Sequence, residues 1–205
     1  MSLKKRFYNN SRKPRGLMGI IKLRRMNGGT HAVLAEWALS GFSIDPDSSA
    51  LDTGCGGGAN IARLLERCSH VTGIDYSPVS VSKSKALNAA AIAEGRCSVV
   101  EGTVEALPFA PDSFDLVTAF ETIYFWPGIE DCYRQIFRVL KPGGRFMIVN
   151  ESDGEDASYR QWETVIDGMH VYNIFEIESG LRNAGFSAVE IIRDGRHFVR
   201  AVATK

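Results

Sequence analysis

The 205-residue chain has little that could cross-link it: Cys55, Cys68, Cys97 and Cys132 are far apart, with no C-x-x-C pair and no clustered histidines. That spacing argues against a metal site of the zinc kind and against a disulfide framework. A reduced, cytoplasmic setting is therefore the default expectation. No apolar run approaches the ~18 residues that a membrane span requires, so no membrane partner is expected. The opening MSLKKRFYNN has basic residues but no apolar stretch behind them, and it does not read as a secretory signal. Internal repeats and low-complexity tracts are also missing. Net charge is zero, from 24 basic and 24 acidic residues, yet residues 1–25 hold nine Lys or Arg and no acid. Such a basic arm on an acidic body can either reach phosphate, on nucleic acid or lipid, or dock on its own domain as a partly helical segment.

The remaining composition, 44% hydrophobic and 23% charged, is that of an ordinary globular domain. From about residue 49 short apolar runs alternate with helical patterns, which predicts β-α-β units and a parallel sheet. Strands are expected at Ala50–Thr53, His70–Asp75, Cys97–Thr103, Phe114–Phe120 and Arg145–Asn150. Helices are expected at Ala59–Arg67, from Pro78 behind a Ser77 cap to Gly95, and from Ile129 to a stop at Pro142-Gly143-Gly144. In that last helix Ile129, Cys132, Tyr133, Ile136, Phe137 and Leu140 share one stripe. A helix over Phe175–Ala184 and two strands, Ala188–Arg193 and Phe198–Ala203, complete the chain. Asp194-Gly195 reads as a two-residue turn that makes those strands antiparallel. Residues 1–48 and 151–173 fall outside the pattern and are placed to cover the carboxyl ends of the strands, where open α/β sheets bind ligands. The expectation is a single domain over 1–205: a helical cap with the basic arm (1–48), a binding core (49–150), a lid-like insertion (151–173), and a C-terminal helix and hairpin (174–205).

Asp52-Thr53-Gly54-Cys55-Gly56-Gly57-Gly58 lies on a strand-to-helix turn. Glycines there let bare backbone approach a ligand, and the following helix offers unsatisfied N–H groups. The run alone also fits a dinucleotide fingerprint. Asp75, ending the second strand, suits two ribose hydroxyls, which NAD and S-adenosylmethionine share. Asp52 is read either as a ligand or as a cap of the turn.

Asp52-x-Gly54-x-Gly56-x-Gly58 resembles the D/E-x-G-x-G-x-G motif of class I S-adenosylmethionine-dependent methyltransferases. Glu105-Ala106-Leu107-Pro108-Phe109, Asp112-x-Phe114-Asp115 and Val139-Leu140-Lys141-Pro142-Gly143-Gly144 resemble the same family in order and spacing, nearest to methyltransferase type 11 and the ubiquinone and menaquinone C-methyltransferases. The resemblance covers residues 49–150 and, by topology, the final hairpin. It implies an α/β, Rossmann-like three-layer sandwich with a seven-stranded, mostly parallel sheet whose last strand is antiparallel. It implies S-adenosylmethionine as cofactor and S-adenosylhomocysteine as product. By position it places Gly54, Cys55, Gly56 and Gly58 at the methionine part, with Asp52 near its amino group. Asp75 falls at the ribose, Tyr76, Val104 and Glu105 at the adenine, and Phe120 with Glu121 at the sulfonium side. The family's Gly-Asp-Ala before Glu-x-Leu-Pro-Phe is Gly102-Thr103-Val104 here, so that carboxylate is missing and Glu105 is the nearest substitute.

Methyl transfer from a sulfonium is an in-line displacement, and positioning alone can supply roughly 7–11 kcal/mol of its barrier. A proton-bearing nucleophile also needs a base. His31, Glu121, Glu151 and His170 are the candidates, each with a plainer role in capping, packing or backbone bonding. Tyr124, Phe125 and Trp126 before Pro127 read as an acceptor wall or as packing, and Tyr159 and Trp162 as part of a lid. The expected acceptor is a small molecule. An NAD(P) oxidoreductase lacks support because no Tyr-x-x-x-Lys pair is present. A base-amino methyltransferase is disfavoured because Phe120-Glu121-Thr122-Ile123-Tyr124 stands where a Pro-Pro-Tyr-type motif is expected. An RNA-directed enzyme using the basic arm and a non-catalytic cofactor binder are the alternatives, and oligomeric state is left open.

Overall fold

A computed structural model describes residue 16 and residues 29–205. The basic arm of residues 1–25 therefore lies outside the described residues, Gly16 excepted. Seven strands form one sheet: β1 (Ser49–Thr53), β2 (His70–Asp75), β3 (Cys97–Glu101), β4 (Phe114–Phe120), β5 (Leu140–Asn150), β6 (Ala188–Arg193) and β7 (Val199–Thr204). Their order is β3-β2-β1-β4-β5-β7-β6. All neighbours are parallel except β7, which runs antiparallel to both β5 and β6. The order reverses between β1 and β4, so a crevice opens at their carboxyl ends.

Helices cover both faces. On one, α1 (Thr30–Leu39), α2 (Ala59–Leu65), α3 (Pro78–Leu87) and α4 (Ala89–Ala93) contribute Leu34, Ala38, Ile61, Leu64, Val81 and Ala91 to a core with Met147 and Val149. On the other, α5 (Ile129–Val139) and α8 (Ile174–Asn183) pack Tyr133, Ile136, Ile177 and Leu181 onto Phe146 and Ile148. Alternate residues of β5 thus feed alternate cores, as the period of a strand requires. Between β5 and α8 lie two short helices, α6 (Ala157–Arg160) and α7 (Trp162–Val165).

Several sequence boundaries shift for local reasons. The Ala-rich helix is two helices, broken where the Asn88 amide donates to Ser84 O and across to Gly58 O. β3 ends at Glu101 and not at Thr103. Pro142-Gly143-Gly144 does not separate helix from strand: β5 already starts at Leu140 and carries these residues through a register shift opposite Phe114–Leu116. Lys205 holds that irregular stretch, accepting from Gly143 N and donating to Gly144 O. The final connection is a five-residue loop, 194–198, instead of a two-residue turn. Asp194 Oδ1 accepts from Arg196 N and Phe198 N, and His197 takes φ +66° to close it.

Three of the motif segments take part in struts. Asp115 accepts from Ser49 N and from Lys141 Nζ, tying β4 to the starts of β1 and β5. Arg138 donates to Leu107 O and Phe109 O at 2.8 and 2.7 Å, fixing the loop that borders the crevice.

Candidate functional site

The crevice is a cleft lined by residues from the ends of β1, β2 and β4, the segment after β3, and the first turns of α1 and α2. The first of these is the glycine turn. Gly54 N and Cys55 N donate to Ile74 O, locking the turn onto β2. Gly54 has φ +68°, and a Cβ there would stand 2.5 Å from Thr122 Cγ2, so its bareness admits the β4 loop. Gly58 has φ +83° and a virtual Cβ 2.5 Å from Ser84 Oγ and 2.6 Å from Asn88 Nδ2. It does not line the cleft; it lets α2 and α3 close on each other. Only Gly54, Cys55, Gly56 and Gly57 of the turn face the opening.

Two carboxylates stand beside this turn. Asp75 accepts from Gly56 N at 2.9 Å and from Ser77 N at 2.8 Å. These donors come from the glycine turn and from the start of α3, and they fix the carboxylate at the edge of the cleft. Asp52 is 1% exposed, and Thr118 Oγ1 donates to its Oδ1 at 2.8 Å. Its Oδ2 is buried without a hydrogen-bond partner among the described residues. Burial, opposed by the Thr118 bond and reinforced by Asp75, raises the Asp52 pKa from 3.8 to about 7. An orphan acceptor beneath a glycine turn is what a ligand ammonium, or its water, would satisfy. The Cys55 thiol is pushed well up by burial and then by Asp52 and Asp75, so it stays protonated and is no nucleophile.

Tyr76 and Thr103–Glu105 form the far wall, with Val104–Ala106 in a 3₁₀ turn. Phe120 and Glu121 form the near wall. Glu121 is a non-glycine residue at φ +60° and is strained for that reason. Its side chain is tied down: Tyr124 OH and Glu151 N donate to Oε1, and Tyr159 OH donates to Oε2 at 3.2 Å. Burial and then the neighbouring Glu151 carboxylate push Glu121 above the usual carboxylate range, against those hydrogen bonds.

The remaining expected residues divide. His31 lines the cleft, with Nε2 4.0 Å from Glu151 Oε1. His170 does not line it: its imidazole lies between Glu163 at 3.3 Å and Glu176 at 3.4 Å, against the Tyr172 ring. Tyr124 is 2% exposed and reaches the cleft only through Glu121. Trp126 has an edge in the cleft, but its ring stacks on Phe146 in the core. Phe125, one of the three aromatics read as an acceptor wall or as packing, faces the cleft, and Tyr159 buttresses Glu121 from α6. Leu34, Asn60, Arg63 and Thr122 also line it and were not anticipated. Leu34 could have been found as the residue one turn after His31; nothing in the local sequence marks Thr122.

Comparison with known proteins agrees with this geometry. Residues 51–148 match the methyltransferase domain family. Squalene methyltransferase 1 of Botryococcus braunii is 32% identical over 181 residues, covering 81% of this chain and 48% of that protein. Cycloartenol-C-24-methyltransferase 1 of Oryza sativa subsp. japonica is 28% identical over 75% of this chain and 46% of its own length. The chain thus spans about half the length of these curated relatives. In fold it is similar to a SAM-dependent methyltransferase from Aquifex aeolicus, with TM-score 0.75, 18% identity, and coverage of 90% of this chain and 97% of that one. With four motif segments in register and a seven-stranded sheet of this order, residues 51–148 of the chain belong to the methyltransferase domain family, in its S-adenosylmethionine-dependent, Rossmann-like form.

Proposed function

We propose that the protein transfers a methyl group from S-adenosylmethionine to a small, largely apolar acceptor within this cleft. The observation that carries the reading is convergence: the glycine turn, Asp75, the 103–105 segment and the Phe120–Glu121 wall all border one opening. The residues fit the cofactor. The Gly54–Gly57 backbone, with Asp52 Oδ2 buried beneath it, suits its amino-acid end, Asp75 its ribose diol, and Tyr76, Val104 and Glu105 its adenine. When bound, the cofactor supplies a methyl on cationic sulfur, and the chain's own work is placement.

Leu34, Phe125, Trp126 and Pro127 give the rest of the cleft an apolar, aromatic lining that excludes water and suits an apolar acceptor. Glu121, beside that lining, is the group that takes up a proton or faces positive charge on the acceptor. The names of the sterol and squalene methyltransferase relatives support a small-molecule acceptor. No helix among the described residues is long and apolar enough to cross a membrane.

The test is label transfer from methyl-labelled cofactor into a panel of triterpenes, small phenols and amines, and RNA oligonucleotides. Label in an organic-soluble product supports the proposal. Label confined to RNA would sink it and would bring the basic arm, with its salt-dependent binding, to the front.

A further inference from the structure

His31, Glu121 and Glu151 approach one another from three separate places: the first turn of α1, the residue after β4 and the residue after β5. One ligand atom from each, an imidazole nitrogen and two carboxylate oxygens, can be chosen so that all three lie within 4.8 Å of one another. The sequence shows no metal motif because the ligands are scattered over the whole chain. Among the described residues neither carboxylate has a Lys or Arg within ion-pair distance; the contact present is His31 with Glu151.

The surroundings are those of a ligand set and not of a solvated acidic patch. Tyr124 OH, Tyr159 OH and Glu151 N donate to the Glu121 carboxylate, and Tyr159 OH also reaches Glu151 Oε2 at 3.4 Å. Ligating carboxylates are characteristically held by such outer donors. The independent observation is Glu151 Oε1, a buried acceptor with no hydrogen-bond partner among the described residues, on the His31 side of the group.

The geometry points to a divalent cation site formed by His31, Glu121 and Glu151. One imidazole with two carboxylates suits Mn2+ or a similar first-row ion better than soft Cu+ or a thiolate-loving metal. Three protein ligands leave further positions for water or for an oxygen of the acceptor. His31 and Glu121 both line the cleft, so the cation faces the acceptor end of it; that consequence rests on the methyl-transfer reading, whereas the site itself does not.

Mn2+ titrated into the full chain, followed by the loss of its free paramagnetic resonance signal, tests the site. Binding of about one equivalent is expected, weakened at least about tenfold by His31→Ala and by Glu151→Gln, with Glu155→Gln as an unaffected control. Circular dichroism melts show that each variant is folded, and S-adenosylhomocysteine affinity is measured in parallel. No loss of free signal with folded wild-type protein overturns the site, as does binding that both variants leave unchanged. If Mn2+ binds but S-adenosylhomocysteine does not, the methyl-transfer reading fails and the metal site stands.

Discussion

Asp75 is the residue on which cofactor recognition turns. Its carboxylate accepts from Gly56 N and Ser77 N, so removing it takes away the ribose acceptor and the partner of those two donors, while Gly54 N and Cys55 N still tie the turn to Ile74 O. Asp75→Ala should weaken S-adenosylhomocysteine binding at least tenfold, since each charge-assisted hydrogen bond is worth about 1.5–3 kcal/mol. Affinity within twofold of wild type would put the ribose elsewhere. Asp52 makes a different prediction. Its pKa, raised to about 7 by burial, means that the folded chain keeps a proton there. The unfolded chain releases that proton above roughly pH 4. The stability this contributes is complete below the unfolded value and is lost as pH rises through the folded one. Thermal melts of Asp52→Asn should therefore decline less than wild type between pH 4 and 7, and an identical pH slope in the two proteins would contradict the buried neutral carboxyl.

At the scale of elements, the glycine run divides between a cleft and a packing surface. Gly58→Ala introduces a Cβ against Ser84 and Asn88 at positive φ. It should cost about 2 kcal/mol in denaturant unfolding. A change below about 0.5 kcal/mol would show that α2 and α3 yield easily. The turn after β4 divides in the same way. Trp126 is 8% exposed and stacks on Phe146, so Trp126→Ala should destabilise by about 3 kcal/mol. Phe125→Ala should instead raise the acceptor KM with little loss of stability. If the two variants exchanged effects in melts and kinetics, the orientation of this turn would be wrong. The α5 stripe was legible because Cys132, Tyr133 and Ile136 repeat at helical spacing and pack into one core. The start of β5 was hidden because Pro142 and the glycines read as punctuation, and only the Lys205 backbone, far along the chain, shows that the strand passes through them.

For the molecule as a whole, the parallel sheet and its crevice were readable from alternating strand and helix patterns, because short-range periodicity determines those elements. The residues lining the crevice were readable chiefly where they end or follow a strand, as Asp75, Tyr76 and Glu121 do, or belong to a motif, as Gly54, Gly56, Val104 and Glu105 do. Thr122 meeting Gly54, and His31 meeting Glu151, depend on the strand order, and the sequence carries no local trace of them. His170 shows the converse: it lies in the segment 151–173 expected to act as a lid, and it pairs with Glu163 and Glu176 without lining the cleft. The claim on which the rest depends is that this crevice takes a sulfonium nucleoside and not a dinucleotide. Titration calorimetry of the full chain with S-adenosylhomocysteine and, separately, with NADH tests it most directly. The account predicts saturable binding of the first and none of the second; saturable NADH binding with no heat from S-adenosylhomocysteine would contradict it.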